Sequence, residues 1–240
     1  MRARYRSSWM WLACLALACG VFLSWPDLDL KIALEFYDQA GQFPFGRWVS
    51  VRAIYVWAPR LGWVLTVWAL LVLVIRWHRP ERISRGLWRK CVAWILVAVL
   101  GNGLLVHEGL KNQVGRPRPS HVQEMGGTVS FVPALHLSQS CQRNCSFVSG
   151  HAALGFCFLA FGMWAARERR RRWMVASLLL GGSIGLVRIV QGGHFLSDIV
   201  FSFLAIWGTV LVVRQVWLRW RFWRLERGNA QRRGHSVRWS

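Results

Sequence analysis

The sequence predicts an all-α fold, an integral membrane protein built as a six-helix transmembrane bundle with its polar site at the outer, periplasmic face. Three observations predict it. Six apolar runs recur along a chain of 240 residues that is 54% hydrophobic. The basic residues gather in four segments that six spans would place on one side. Three polar clusters then fall together on the opposite side.

The apolar runs cover residues 9–25, 61–75, 91–106, 152–166, 173–187 and 199–213, each 15 to 17 residues long. That is short of the roughly 20 residues that cross a bilayer, so every span must take in flanking polar or aromatic residues. Residues 55–59 extend the second run, and Trp77, Trp88 and Trp217 are placed as interface anchors. A soluble bundle would have to cover six helices that lack a polar face, which argues against it. The first run follows a basic start but ends in Ser24, Trp25 and Pro26 with no small-x-small cleavage pattern, so it reads as a retained span. Residues 26–54 are too polar to span, and residues 28–37 suit a short amphipathic helix lying on the outer interface.

The net charge of +21 would suggest nucleic acid if it formed a stripe on a soluble domain. Its distribution speaks for membrane topology instead. Three arginines precede the first run, six basic residues lie in 76–90, five in 167–172 and eight in 214–238, which leaves nine of 31 for the other side. The positive-inside rule then puts both termini of a multi-pass protein in the cytoplasm. Residues 1–214 form the six-span domain, and 215–240 a basic cytoplasmic tail, interfacial at first and then disordered. Cys14, Cys19, Cys91 and Cys157 fall within spans as small buried hydrophobes. Cys141 and Cys145 fall in the outer loop, where a disulfide is expected. The irregular spacing of His121, His136, Cys141 and Cys145 argues against a metal site.

The polar clusters carry the chemistry. In VRIVQGGHFLSD, residues 187–198, His194 and Asp198 stand four apart at a predicted helix start. The carboxylate can hold one ring nitrogen and leave the other free, the arrangement of a nucleophile with its orienter. A satisfied structural pair is the plainer alternative. Gly192 and Gly193 remove side chains where oxygens would approach backbone. In KNQVGRPRP, residues 111–119, Lys111, Arg116 and Arg118 are set apart by prolines that keep the chain extended, where a snorkelling cap would need only one cation. Arginine suits bidentate contact with phosphate oxygens. In CSFVSGH, residues 145–151, Ser149 fits an N-cap, Gly150 allows close approach and His151 sits at the rim to give a proton. A structural cap with an incidental histidine is the alternative there. Four cations with Arg188, a helix N-terminus and two histidines on one face would enclose a phosphate. Glu108 is placed to keep Lys111 aimed.

These residues resemble the three motifs of the type 2 phosphatidic acid phosphatase superfamily. Lys111 with Arg118 and Pro119 match the first. Ser149, Gly150 and His151 match the second, with Val148 where proline is usual. Arg188, His194 and Asp198 match the third, with Val187 where serine is usual. The text around CQRNCSFVSGHA is similar to the lipid A phosphatase-like branch. The resemblance implies a metal-independent lipid phosphatase without cofactor. In it, His194 takes the phosphoryl group, Asp198 orients it and His151 protonates the leaving alcohol, while Lys111, Arg118, Arg188 and the Ser149 and Gly150 amides hold the phosphate. It implies a lipid substrate such as lipid A, undecaprenyl pyrophosphate or a phospholipid, with the bilayer as partner, no nucleic acid and no obligate protein partner. Val148 is expected to loosen the Ser149 cap. Three readings compete with hydrolysis. They are a non-catalytic anionic-lipid-binding protein, which has no use for two histidines, a lipid phosphotransferase, and a vanadate-dependent haloperoxidase, a soluble class that this chain does not fit.

Overall fold

The computed structural model describes residues 2–236, with side chains over 7–224. It is all-helical, with no strand among the described residues. The helices are α1 (Arg2–Ser24), α2 (Leu28–Leu34), α3 (Val49–His78), α4 (Arg85–Lys111), α5 (Gly150–Gly162), α6 (Arg167–Val190) and α7 (Leu196–Ser236).

Five of them, α1, α3, α4, α6 and α7, are long and apolar enough to cross a membrane. Their outer surfaces carry Trp9, Leu17, Leu61, Trp63, Val64 and Val67, all more than half exposed. Bare apolar surface on this scale suits a hydrocarbon solvent. The fourth predicted span is different. α5 starts as an α-helix at Gly150–Phe156 and tightens to 3₁₀ turns over Cys157–Gly162. Thirteen residues at these rises reach only about 22 Å, less than a bilayer core. Its apolar character has another cause. Ala152, Ala153, Phe156, Cys157, Leu159 and Ala160 are buried, so the helix is apolar all round because protein surrounds it.

Small residues let α5 lie against α6. A Cβ on Gly155 would come within 2.6 Å of the Gly181 Cα, and the Ser177 hydroxyl donates to the Phe156 carbonyl at 2.9 Å. α4 begins as an α-helix, capped where the Ser84 hydroxyl accepts from the Leu87 amide, and widens to π-helical turns from Ala98 to Lys111.

At the basic end, Trp217 of α7 packs on Trp88 at the start of α4 and on Trp164 after α5, and Gln215 donates to Ser8 of α1. Trp88 and Trp217 therefore pack on each other as well as marking that end. The tail expected to be interfacial at first and then disordered continues α7 as helix to Ser236, because 215–236 holds no proline and its basic residues are good helix formers. Residues 237–240 of that tail lie outside the described residues. α2 is shorter than the expected 28–37 and does not merely lie on an interface, since its Asp29 and Ala33 are buried against the bundle.

Candidate active site

The end of the bundle opposite those tryptophans collects the C-termini of α4 and α6 and the N-termini of α3, α5 and α7. His194 sits in the turn after α6. Its Nδ1 lies 2.8 Å from the Ser146 carbonyl and 3.4 Å from Asp198 Oδ2. A carbonyl can only accept, so Nδ1 carries the hydrogen and Nε2 keeps its lone pair. Burial holds the His194 imidazole down to about 4, helped by the charges of Arg188 and Lys111 and opposed by Asp198. The ring is therefore neutral at physiological pH.

Asp198, in the first turn of α7, is fully buried. Its Oδ2 accepts from the Phe195 amide at 2.8 Å and from the Ser146 hydroxyl. Its Oδ1 takes Arg116 Nη1 at 2.8 Å. Arg116 thus lies beneath the carboxylate and leaves the expected phosphate-binding set. Its Nη2 pairs with Asp29 of α2 at 2.8 Å, its Nε donates to the Val132 carbonyl at 2.8 Å, and its guanidinium lies 4.2 Å over the Phe195 ring.

The other cations remain near the histidines. Lys111, Arg118 and Arg188 all act electrostatically on His151, as does His194. Lys111 is 5% exposed, and among the described residues it forms no ion pair. Glu108 does not aim it; that carboxylate accepts from the Asn112 amide at 3.3 Å, one turn along its own helix. Arg118 donates to the Asn144 carbonyl at 2.9 Å through Nη2 and 3.3 Å through Nε. Asn144 lies inside the ring closed by the Cys141–Cys145 disulfide, whose Cα atoms are 5.6 Å apart. Arg188 donates to the Gln191 side chain and leaves its buried Nε without a partner. A Cβ on Gly193 would meet the Arg188 guanidinium at 2.1 Å, so that glycine makes room for the arginine as well as for a substrate.

Ser149 caps α5, its hydroxyl accepting from the Ala152 amide at 3.4 Å. Its own amide donates to the Asp198 carbonyl at 3.2 Å, and its carbonyl accepts from Ser202 at 2.9 Å. These two contacts with α7 hold the turn beside Val148, which is itself buried. His151 stacks on Tyr55 of α3, with ring centroids 4.9 Å apart and planes 17° apart. Arg188 lies over the same tyrosine at 4.6 Å.

The sequence reading missed Tyr55, Asp29, Ser146, Ser197 and Gln191. Tyr55 was visible only as the extension of a span, and Asp29 only as one acid among four in a polar connector. Ser146 acts on His194 through its backbone carbonyl, which no side-chain pattern reveals, and on Asp198 through its hydroxyl. Among the described residues no group of three or more His, Cys, Asp or Glu side chains could hold a metal ion.

A neutral histidine with one nitrogen pinned, a second histidine and three cations thus gather at one end of a bundle whose long helices are apolar enough to cross a membrane. The sequence profile of the PAP2 superfamily matches residues 92–223, and the chain belongs to that superfamily and is a phosphatase. It is 31% identical over 194 residues to the lipid A 4'-phosphatase of Francisella tularensis subsp. novicida (strain U112), covering 80% of this chain and 87% of that one. It is 31% identical over 217 residues to the lipid A 4'-phosphatase of Rhizobium leguminosarum, covering 82% and 88%. With a lipid A 1-phosphatase of Rhizobium etli the match is 33% over 110 residues, 45% of this chain and 42% of the other. The expected likeness to the lipid A phosphatase-like branch is thereby borne out. No solved structure matches the chain.

Proposed function

We propose that this protein removes a phosphate from lipid A, or from a lipid of the same build, at the periplasmic face of the inner membrane through a phosphohistidine. The single observation that carries the reading is the Ser146 carbonyl on His194 Nδ1, which leaves Nε2 as a lone-pair donor. In the first step Nε2 forms a bond to phosphorus as the bond from phosphorus to the lipid oxygen breaks, and His151 hands that oxygen a proton. In the second, water attacks the phosphohistidine, His151 takes the proton back, and inorganic phosphate leaves. Lys111, Arg118 and Arg188 stabilise the charge on the transferring group, whereas the Ser149 amide, expected to hold the phosphate, is already given to the Asp198 carbonyl. Fixed side-chain cations thus fill the role that a divalent metal plays elsewhere.

A lipid anchor fits beside this site. An apolar groove of about 370 Å³ lies between α3, α5 and α6, lined by Ile54, Ala58, Leu154, Phe158 and Ile184 among others. Leu154 and Ile184 sit one turn inward from His151 and Arg188, so a phosphate at the cations would carry its acyl chain into hydrocarbon or groove. The 4'-phosphatase relatives, which match most of their length, favour lipid A among the candidate lipids.

Purified protein incubated with lipid A, undecaprenyl pyrophosphate, phosphatidylglycerol phosphate and phosphatidic acid should release phosphate fastest from lipid A. The release should persist in EDTA, fall with vanadate, and vanish in His194→Ala. Loss in EDTA that a divalent metal restores would overturn the metal-free mechanism. For sidedness, a reporter active only outside the cytoplasm should work when fused within residues 125–130 and stay silent after Arg85. The reverse pattern would remove the periplasmic assignment.

A further inference from the structure

Beneath His194 lies a chain of buried charges that the proposed chemistry does not yet use. Asp29 and Arg116 have fully buried side chains 2.8 Å apart, and Arg116 and Asp198 are likewise buried at 2.8 Å. Ser197 links the two carboxylates. Its amide donates to Asp29 Oδ1 at 2.9 Å, its hydroxyl donates to Asp29 Oδ2, and that hydroxyl accepts from Arg116 Nη1 at 2.8 Å. Burial pushes the Asp29 carboxyl up from its ordinary value, against the pull of Arg116 and the Ser197 donors. Three hydrogens point at its two oxygens, which fits the carboxylate rather than the acid.

Asp198 with Arg116 alone would sum to zero, and a neutral pair does little for a ring that becomes positive when it takes a phosphoryl group. Asp29 restores a net single negative charge beneath that ring, in a dry environment where charges act strongly. From the facing elements Lys111 on α4 and Arg188 on α6 act on the ring as positive charges, and the second histidine, His151 on α5, interacts with it electrostatically. We propose that Asp29, 165 residues before the nucleophile, is a positioning residue. Through Arg116 and Ser197 it fixes the Asp198 carboxylate and supplies the negative charge that balances the phosphorylated His194. The proposal rests on the phosphohistidine reading above.

The test is quenched-flow measurement of acid-labile phosphoprotein on the full-length protein in proteoliposomes, with radiolabelled lipid A. The burst amplitude counts folded, competent sites, and the burst rate reports the chemistry. Asp29→Asn should slow the burst roughly ten- to hundredfold, with the amplitude and KM within twofold of the parent. Asp29→Glu, which keeps the charge, should recover most of the rate. Asp29→Asn with Arg116→Gln leaves Asp198 as the sole charge and should react faster than Asp29→Asn alone, the opposite of what two losses of support would do. A lowered amplitude with an unchanged rate in Asp29→Asn would make the pair a fold support and overturn the proposal. So would a double variant that keeps its amplitude but reacts more slowly than the single one. If the double variant shows no burst at all, Asp29→Asn against Asp29→Glu decides, and equal rates overturn the proposal. No phosphoprotein in the parent protein is a separate failure, that of the phosphohistidine itself.

Discussion

The His194 ring is oriented by the backbone of Ser146 more closely than by the side chain of Asp198, at 2.8 Å against 3.4 Å. No substitution at Asp198 can remove that carbonyl, so the reactive tautomer should survive Asp198→Asn. Where an aspartate alone sets the tautomer, its amide variant loses about 10⁴-fold. Here Asp198→Asn should lose roughly 10- to 100-fold, while His194→Ala loses all phosphate release. Turnover of both variants at matched membrane levels checks this, and equal losses would show that Asp198 fixes the tautomer after all.

The depressed His194 pKa sets the acid limit. With the ring held near 4 rather than the ordinary 6.5, protonation of the nucleophile should not lower kcat/KM as pH falls through 6 and should cut it only near 4. The same shift acts on stability. The folded state binds fewer protons than the unfolded chain between about 4 and 6.5, so this group's contribution is present above that window and is lost as pH falls through it. Initial rates from pH 4.5 to 8, paired with thermal unfolding in detergent at pH 7 and pH 5, test both signs. A decline in rate centred at 6.5 would contradict the buried, neutral ring.

The groove should discriminate by chain length. Ala58→Trp fills it from α3, and the kcat/KM for a long-chain lipid phosphate should fall roughly tenfold, about the scale of a few buried methylenes. Hydrolysis of a short-chain phosphate ester should change less than twofold. Equal losses on both substrates would mean that the helix packing, not a chain site, had been disturbed.

The disulfide should act on substrate binding more than on folding. Cys141→Ser frees the ring that presents the Asn144 carbonyl to Arg118, so KM should rise several-fold with kcat nearly unchanged. So small a ring should contribute at most about 2 kcal/mol to stability. Alkylation of peptides with and without reduction establishes the bond, and kinetics of the serine variant test the tether.

Much of this was readable in the chain, for reasons that differ by residue. Lys111, His151, Arg188, His194 and Asp198 were legible because they are charged or titratable groups at the mouths of apolar runs, where such groups are costly without a role. The number of full-length spans was not legible. A run of fifteen apolar residues looks the same whether lipid or protein covers it, and α5 is covered by protein. Arg116 and Arg118 were indistinguishable in sequence, being two residues apart in one basic cluster. Their separation rests on contacts far along the chain: Asp29, 87 positions earlier, and Asp198 hold Arg116 beneath the site, and the Asn144 carbonyl holds Arg118 beside it.

The glycine contact between α5 and α6 also has a mechanical side. Gly155 and Gly181 bring the two backbones together one turn below His151 and about two turns below Arg188. Helices in such contact cannot slide or splay without opening a void, so the histidine and the arginine ride on one stiff jaw. The opposing jaw is α3, which carries Tyr55 and is far less buried than α6. If the proposed lipid reading holds, room for a bulkier headgroup should come from the α3 side, where the neighbour is the bilayer rather than protein, and the thickness and stiffness of the bilayer should then bear on how tightly the site grips.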